Sequence, residues 1–233
     1  MATLSKREIR PLAYLRTFTF MWLALALWAG LEPIRAADPE SPDPLAVGSK
    51  WEASVEVTAP DGSVQRGKAH RAIIGVESVR GTNYVVSVTQ FSGLPGLGGF
   101  RTYRRRAEDG IHAINAADPE QIEYFETALP LETGRTWTAS SRAGHTLFRV
   151  TGRESIKIGR REYKDCFRVE YDSTGAMPHG HFYLAPGIGN VSESFAVGGA
   201  KFRVTLDSFE RGKTDTGPGS DKPAVVRASE LKP

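Results

Sequence analysis

The chain has 233 residues, of which 40% are hydrophobic and 24% charged, a balance typical of a folded globular protein rather than a disordered one. Its 30 basic and 27 acidic residues give a net charge of +3, and its single cysteine excludes an internal disulfide framework. The fold must therefore rest on the burial of apolar side chains.

The first 36 residues are typical of an export signal. Four basic residues within positions 6–16 precede an apolar run at 21–31, and Ala36 or Ala37 offers a small residue for cleavage. The run is shorter than the roughly 20 residues that a membrane-spanning helix needs. We expect a signal peptide at 1–36 and an exported protein, periplasmic or extracellular, with an uncleaved N-terminal anchor as the alternative.

Removal of this segment changes the charge balance. Residues 1–36 hold five basic and two acidic side chains, so the rest of the chain carries 25 of each sign. A nucleic-acid partner held by net positive charge is therefore excluded. No sequence motif indicates a cofactor.

Most of the remaining chain alternates in the manner of β-strands. Apolar and polar residues alternate between glycine- and proline-rich turns, after a loose leader at 37–44 and before a polar tail at 212–233 that we expect to be disordered. We predict an all-β fold with at most one short helix near 118–129, where Asp118 can cap the first turn and Pro119 can occupy it. The segments predicted as strands include WEASVEV, YVVSVTQF, TLFRV, EYKDCFRVEY, HFYL and KFRVTLDSFE.

An internal duplication organises these strands. LAVGSKW at 45–51 matches LETGRTW at 131–137, and GVESV at 75–79 matches GRESI at 152–156. Tyr84 and Tyr163, the loops GLPGLGGF and GAMPHGHF, and a later Gly-Ile pair at 110–111 and 187–188 recur in the same order. We predict a first repeat at 45–117, a connector at 118–130 and a second repeat at 131–211. Two antiparallel half-sheets would then cover each other as a sandwich or a flattened barrel.

The turn YLAPGIGN carries two glycines, Gly187 and Gly189, and the next segment has the pattern of a strand. A phosphate-binding loop needs a third glycine and a helix start, so we predict a chain reversal here. Together with LPLETGRTW and GRESIKIGRREYKDCFRV, this turn resembles the C-terminal half of the TapB-like proteins and related bacterial exported β proteins. The resemblance covers residues 129–210 and departs from the family pattern at Asn190 and Ser192. It implies an exported β fold and transfers no catalytic residues.

The two glycine- and proline-rich loops are the main candidates for ligand binding. Apolar side chains on flexible loops either plug the end of a barrel or form a lid over a cavity for a lipid-sized ligand. We therefore expect a binding module for an apolar or lipid-like ligand, rather than an enzyme. The loop candidates are Leu94, Leu97, Phe100, Met177 and Phe182.

Charged residues offer a second type of site. Alternation in RTYRRR places Arg104 and Arg106 on one face of a strand, and Arg101 and Arg105 with Tyr103 on the other. A solvated face is the simple interpretation, and an anionic partner or an envelope protein bound by the outer strands is the alternative.

A few acidic, histidine and cysteine residues are candidates for catalysis or metal binding. Glu77 and Glu154 occupy matching positions in the two repeats, and a hydrolase would need them within about 10 Å of each other. His179 and His181 would point to the same side of a strand, as metal ligands must, but no third ligand is evident. Cys166 has no Cys-His-Asx pattern around it, so we expect a covered thiol rather than a nucleophile.

Overall fold

A computed structural model describes residues 44–212, except for 119, 121, 142–143 and 175–177. The predicted signal peptide, most of the leader and all but the first residue of the predicted tail lie outside the described residues. Within them the chain forms twelve β-strands and no helix, which confirms the all-β prediction. No helix in this part is long and apolar enough to cross a membrane.

The strands follow one another closely along the chain. They are β1 (Lys50–Thr58), β2 (Val64–Val79), β3 (Thr82–Ser92), β4 (Phe100–Arg106), β5 (Gly110–Asn115), β6 (Glu123–Ala128), β7 (Thr136–Ser141), β8 (Gly144–Ile158), β9 (Arg161–Ser173), β10 (His179–Ala185), β11 (Gly189–Val197) and β12 (Ala200–Glu210).

All twelve strands belong to one antiparallel sheet rather than to two separate sheets. Except for β6 and β7, each strand pairs with its neighbours in sequence, and β1 also pairs with β12, so that the order runs β6-β5-β4-β3-β2-β1-β12-β11-β10-β9-β8-β7. The two outermost strands, β6 and β7, lie against each other without ladder pairing. The result is a nearly closed barrel, which limits the exposed strand edges to this single seam.

The two faces of the sheet differ in burial. The face that includes Trp51, Val55, Trp137, Val150 and Val169 holds most of the buried side chains, and we call it the inner face. The opposite, outer face is mainly polar and exposed. Two apolar clusters form the core. One contains Ala128, Leu131, Trp137, Val150, Phe167, Val169, Tyr171, Phe182 and Leu184, and the other Trp51, Ile73, Tyr163, Cys166, Ala185, Val191 and Leu206.

The turns that lead into β1 and β7 have the same backbone geometry. Gly48 and Gly134 adopt φ angles of 88° and 89°. The Gly48 amide donates to the carbonyl of Ile73 and the Gly134 amide to that of Val150, both at 2.8 Å. Each glycine thus turns the chain in a left-handed conformation just before a buried tryptophan, as the Gly-x-x-Trp repeat in the sequence requires.

At one landmark the two repeats correspond in the structure at a different residue from the one that the sequence predicted. The φ angles of Gly187 and Gly189 are 70° and 97°, and a strand follows, as predicted for a chain reversal. Gly110 begins β5 and Gly189 begins β11, whereas Gly187 lies in the preceding turn. The structural counterpart of Gly110 is therefore Gly189 rather than Gly187.

The helix candidate near 118–129 is not helical in the structure. Residues Glu123–Ala128 form β6, which pairs with β5. The carboxylate of Asp118 accepts hydrogen bonds from the backbone amides of Glu120 at 3.0 Å and Ile122 at 3.3 Å. Asp118 therefore stabilises a turn and not a helix start. Pairing with β5 satisfies backbone groups that would otherwise form an open sheet edge, and this outweighs the local capping signal.

Strict alternation also fails in β9. The register with β8 shifts between Glu154 and Ile156, and Asp165 adopts a φ of 54°. This irregularity lets Cys166 and Phe167 both be buried although they are consecutive. Burial raises the pKa of the Cys166 thiol to about 11, which makes it a poor nucleophile.

Candidate functional site

Aromatic rings form a wall on the inner face of β7 to β10. The Trp137 and Phe148 rings stack at 5.1 Å between centroids, and Tyr171 lies 5.6 Å from Phe148 and 5.8 Å from Phe182. These four residues share a face because Trp137 pairs with Phe148, Phe148 with Tyr171, and Phe182 with Val169 beside it. We call Trp137, Phe148, Tyr171 and Phe182 the aromatic wall.

Polar side chains form a second wall on the inner face of β4 and β6. Arg104 is 9% exposed, and its Nε and Nη2 donate to Glu126 Oε2 at 2.7 Å and to Oε1 at 2.8 Å. Burial raises the pKa of the neighbouring Tyr124 to about 12. We call Arg104, Tyr124 and Glu126 the polar wall.

Glu193 places a carboxyl group on the aromatic side of the barrel. On β11 it lies between Phe182 of β10 and Val204 of β12. Tyr171 Oη donates to its Oε1 at 2.8 Å and Asn190 Nδ2 to its Oε2 at 3.0 Å. Burial raises the pKa of Glu193 despite these two hydrogen bonds, because removal from water penalises the charged form.

Arg71 connects the inner face of β2 to both neighbouring strands. Its guanidinium carbon lies 4.4 Å from the Trp51 ring centroid, within the range of a cation–π contact. Its Nε donates to Ser87 Oγ at 3.1 Å. The inner face therefore combines apolar and polar contacts.

The structure places the loop candidates in different environments. Leu94 is buried, and a Cβ on Gly67 would lie within 2.6 Å of its Cγ, so it plugs the barrel end beside β2. Leu97 and Phe100 are exposed. Phe182 belongs to β10 and the aromatic wall, and Met177 lies outside the described residues.

The candidate arginines follow the predicted alternation but not the predicted environment. Arg104 pairs with Ala113 and Arg106 with Ile111 in β5, so the two arginines share a face, as predicted, and that face is the inner one. Arg104 is buried in its ion pair rather than solvated, whereas Arg106 is exposed at the strand end. β4 is an internal strand of the sheet, so charge on it does not protect an edge.

The matched carboxylates are not neighbours in the sheet. Glu77 lies on β2 and Glu154 on β8, six positions apart in the strand order. Both are exposed, and Glu77 forms an ion pair with Arg101. The sheet therefore offers no direct pairing of the two acids.

His179 and His181 lie on β10 with their side chains on the outer face. The His181 ring makes an edge contact with Tyr183 at 5.7 Å. Within residues 44–212, excluding the gaps given above, no group of three or more His, Cys, Asp or Glu residues has a geometry that could hold a metal ion.

Comparisons with known proteins show distant similarity of structure. No family model and no curated protein matches the sequence. A protein with a YmcC-like fold from Bacteroides fragilis is 11% identical with a TM-score of 0.45, and the match covers 71% of this chain and 96% of that one. A β-barrel-like protein of the DUF1849 domain from Brucella abortus is 9% identical with a TM-score of 0.41, over 72% and 99% of the two chains. A DUF1329 family protein from Desulfovibrio piger is 10% identical with a TM-score of 0.29, over 80% and 92%. These matches assign no activity to the chain.

Several inner-face residues were not found from the sequence. Glu126 and Tyr124 lie in the segment predicted as helix, which hid their strand alternation. Glu193 shares its parity with Val191 and Phe195, and an acid at an apolar position of a strand was a signal that could have found it.

Proposed function

We propose that this protein is an exported envelope protein whose barrel binds an apolar or lipid-like ligand on its inner face. The observation that carries the proposal is the aromatic wall, which offers four rings on one face beside a polar wall. Stacked and tilted rings accept acyl chains or ring systems without a fixed hydrogen-bond pattern. The export signal predicted at 1–36 supports the envelope location.

Admission of a ligand requires the rings to separate, because they contact one another. Leu97 and Phe100 lie at one end of the barrel on or beside a glycine-rich loop. Movement of this loop is the step that we propose admits the ligand. Leu94 keeps the loop anchored to β2 while the rest of it moves.

We also propose that the barrel arose by duplication of a β unit, with repeats at 45–117, which holds β1 to β5, and 131–211, which holds β7 to β12. The equal φ angles of Gly48 and Gly134, and their equivalent hydrogen bonds, support this. Membership of the TapB-like family belongs to the same proposal and rests on the Gly-x-x-Trp start and the Tyr-x-Ala-Pro-Gly-x-Gly turn alone.

Native mass spectrometry of the protein purified from the envelope fraction tests ligand binding. A co-purifying apolar molecule is the expected result. An apolar fluorescent probe should then bind, and Phe148→Ala should weaken its affinity at least about tenfold, because about 1.5–3 kcal/mol of ring burial is lost. Arg149→Ala is the matched control, since Arg149 is the next residue on the exposed outer face. Equal affinity in both variants, or no probe binding, contradicts the proposal.

A protein-interaction module is the second candidate function. The seam between β6 and β7 is the only unpaired pair of strand edges among the described strands, and a partner strand could add there. A partner bound at this seam should slow hydrogen exchange of the β6 and β7 amides. It should not change probe binding on the inner face.

A further inference from the structure

The exposed large hydrophobic side chains cluster at one end of the barrel. Since adjacent strands are antiparallel, β2, β4, β6 and β8 all begin at the same end. Within the described part of the chain, the five large hydrophobic residues that are exposed are Val64, Leu97, Phe100, Ile122 and Leu147, and we call them the apolar rim.

Each member of the apolar rim lies near a strand start. Val64 and Phe100 are the first residues of β2 and β4, and Ile122 directly precedes β6. Leu147 is the fourth residue of β8, and Leu97 lies in the loop before β4. Their exposed fractions range from 38% to 51%. A single exposed apolar side chain is ordinary, but the presence of all five at one end is the pattern of an interaction surface.

Two grooves open on the outer face beside this end of the barrel. Their volumes are about 330 Å³ and 550 Å³, and Arg203 and Glu56 line both. Arg66 binds Glu56 at 2.9 Å, and Lys68 binds Asp207 at 2.9 Å.

Two cations in these grooves are available to a partner. Lys201 and Arg203 are the second and fourth residues of β12 and are exposed. Neither forms an ion pair with another residue of the described chain.

Two aspartates at the same end accept hydrogen bonds from the backbone of their own turns. Asp61 accepts the amide of Ser63 at 2.9 Å and the hydroxyl of the same residue at 2.6 Å. Asp118 accepts the amides of Glu120 and Ile122. These contacts hold the turns that carry Val64 and Ile122.

We propose that the apolar rim docks on the surface of an anionic phospholipid bilayer. Leu97 and Phe100 insert at the interface, and Lys201 and Arg203 contact the phosphate groups of the lipids. Interfacial binding of this kind combines buried apolar area with attraction of basic side chains to anionic lipids. The inference stands apart from ligand binding on the inner face, although docking would bring the barrel end to a source of apolar molecules.

A site-specific fluorophore tests which end of the barrel meets the bilayer. Leu97→Cys and Lys157→Cys each provide an accessible thiol, whereas native Cys166 is fully buried. Lys157 is exposed near the opposite end of β8 and is the matched control. With protein recovered after export of the full chain, an environment-sensitive label at position 97 should shift to the blue on addition of phosphatidylcholine–phosphatidylglycerol vesicles. The label at position 157 should not change.

Two outcomes of the labelling experiment overturn the proposal. A blue shift at both positions, or at neither, shows that the apolar rim does not meet the bilayer. A shift at position 97 that depends on protein concentration without vesicles shows instead that a second copy of the chain covers the rim.

Charge variants test the lipid contact separately. Arg203→Glu should weaken vesicle binding at least about fivefold, because each basic residue near an anionic surface contributes about that factor. Lys157→Glu changes the net charge equally and should leave binding unchanged. Binding should also fall as salt rises. Equal binding to pure phosphatidylcholine vesicles contradicts the anionic-lipid contact. Probe binding by the barrel would be unaffected by either variant, which separates failure of docking from failure of ligand binding.

Discussion

Glu193 is an acid in an apolar part of the barrel, and its protonation state should control local stability. Its pKa is raised above the unfolded value of 4.5 because of burial. For an acid with a raised folded-state pKa, the stabilising contribution is complete below the unfolded pKa and is lost as pH rises through the folded-state pKa. The contribution of Glu193 to stability is therefore smaller at neutral pH than in acid.

We predict that Glu193→Gln raises the melting temperature at pH 7 by a few degrees, because the amide cannot ionise. Below about pH 4 the two proteins should melt together, since Glu193 is then protonated in both the folded and unfolded states. Thermal unfolding followed by circular dichroism across this pH range measures the difference. A difference that stays constant down to about pH 3 would show that ionisation is not its cause.

The polar wall gives a second prediction at the level of single residues. Glu126→Ala should lower the free energy of unfolding by about 3 kcal/mol, because it removes a bidentate partner of a buried guanidinium. Glu77→Ala is the control, since the Glu77–Arg101 pair is substantially exposed, and it should cost less than about 1 kcal/mol. Urea denaturation of both variants compares them. Equal losses would mean that Arg104 finds an alternative partner when Glu126 is absent.

For single residues, the sequence predicted which face of a strand a side chain occupies better than whether that side chain is buried. Alternation placed Arg104 and Arg106 on one face, and the register with β5 confirms it. Burial of Arg104 depends on Glu126, which lies 22 residues away on a strand that local signals favoured as helix. The alternation of polar and apolar residues within one segment cannot identify a partner that lies on another strand.

The matching turns before β1 and β7 permit a prediction about whole elements. Gly48→Ala and Gly134→Ala should each lower the free energy of unfolding by about 1–2 kcal/mol, because an L-residue is strained at these positive φ angles. If the two turns are equivalent, the two losses should agree. Gly152→Ala is the control, since a Cβ at Gly152 has open space and no positive φ is present there. Chemical denaturation that finds a loss at only one of the two turns contradicts their equivalence.

The elements that the sequence predicted well depend on residues that are close together along the chain. The Gly-x-x-Trp turns depend on a glycine that can reverse the chain and a tryptophan that is buried three residues later. The repeated Gly-x-Glu-Ser segments lie at register shifts, between Ile73 and Gly75 in β2 and between Val150 and Gly152 in β8. β6 was missed because its stability comes from pairing with β5, whose open edge cannot be seen from a local sequence window.

At the scale of the whole molecule, closure of the barrel depends on contacts that the sequence does not indicate. Two half-sheets were predicted, but pairing of β1 with β12 makes them one sheet. The seam remains between β6 and β7, where Trp137 Nε1 donates to the carbonyl of Glu126 at 3.1 Å. Its counterpart Trp51 Nε1 donates to the carbonyl of Ile188 at 2.6 Å, far from the seam.

This difference between the two tryptophans gives a test of what holds the barrel closed. Trp137→Phe retains an aromatic ring against Phe148 but removes the hydrogen bond to β6, at a cost of about 1 kcal/mol. Amides of β6 should then exchange with solvent faster, because the seam opens more often. Trp51→Phe removes an equivalent bond but should affect the turn at 186–188 and leave β6 unchanged. Hydrogen exchange resolved by residue distinguishes the two, and equal effects on β6 would mean that the seam is closed by side-chain packing rather than by the indole of Trp137.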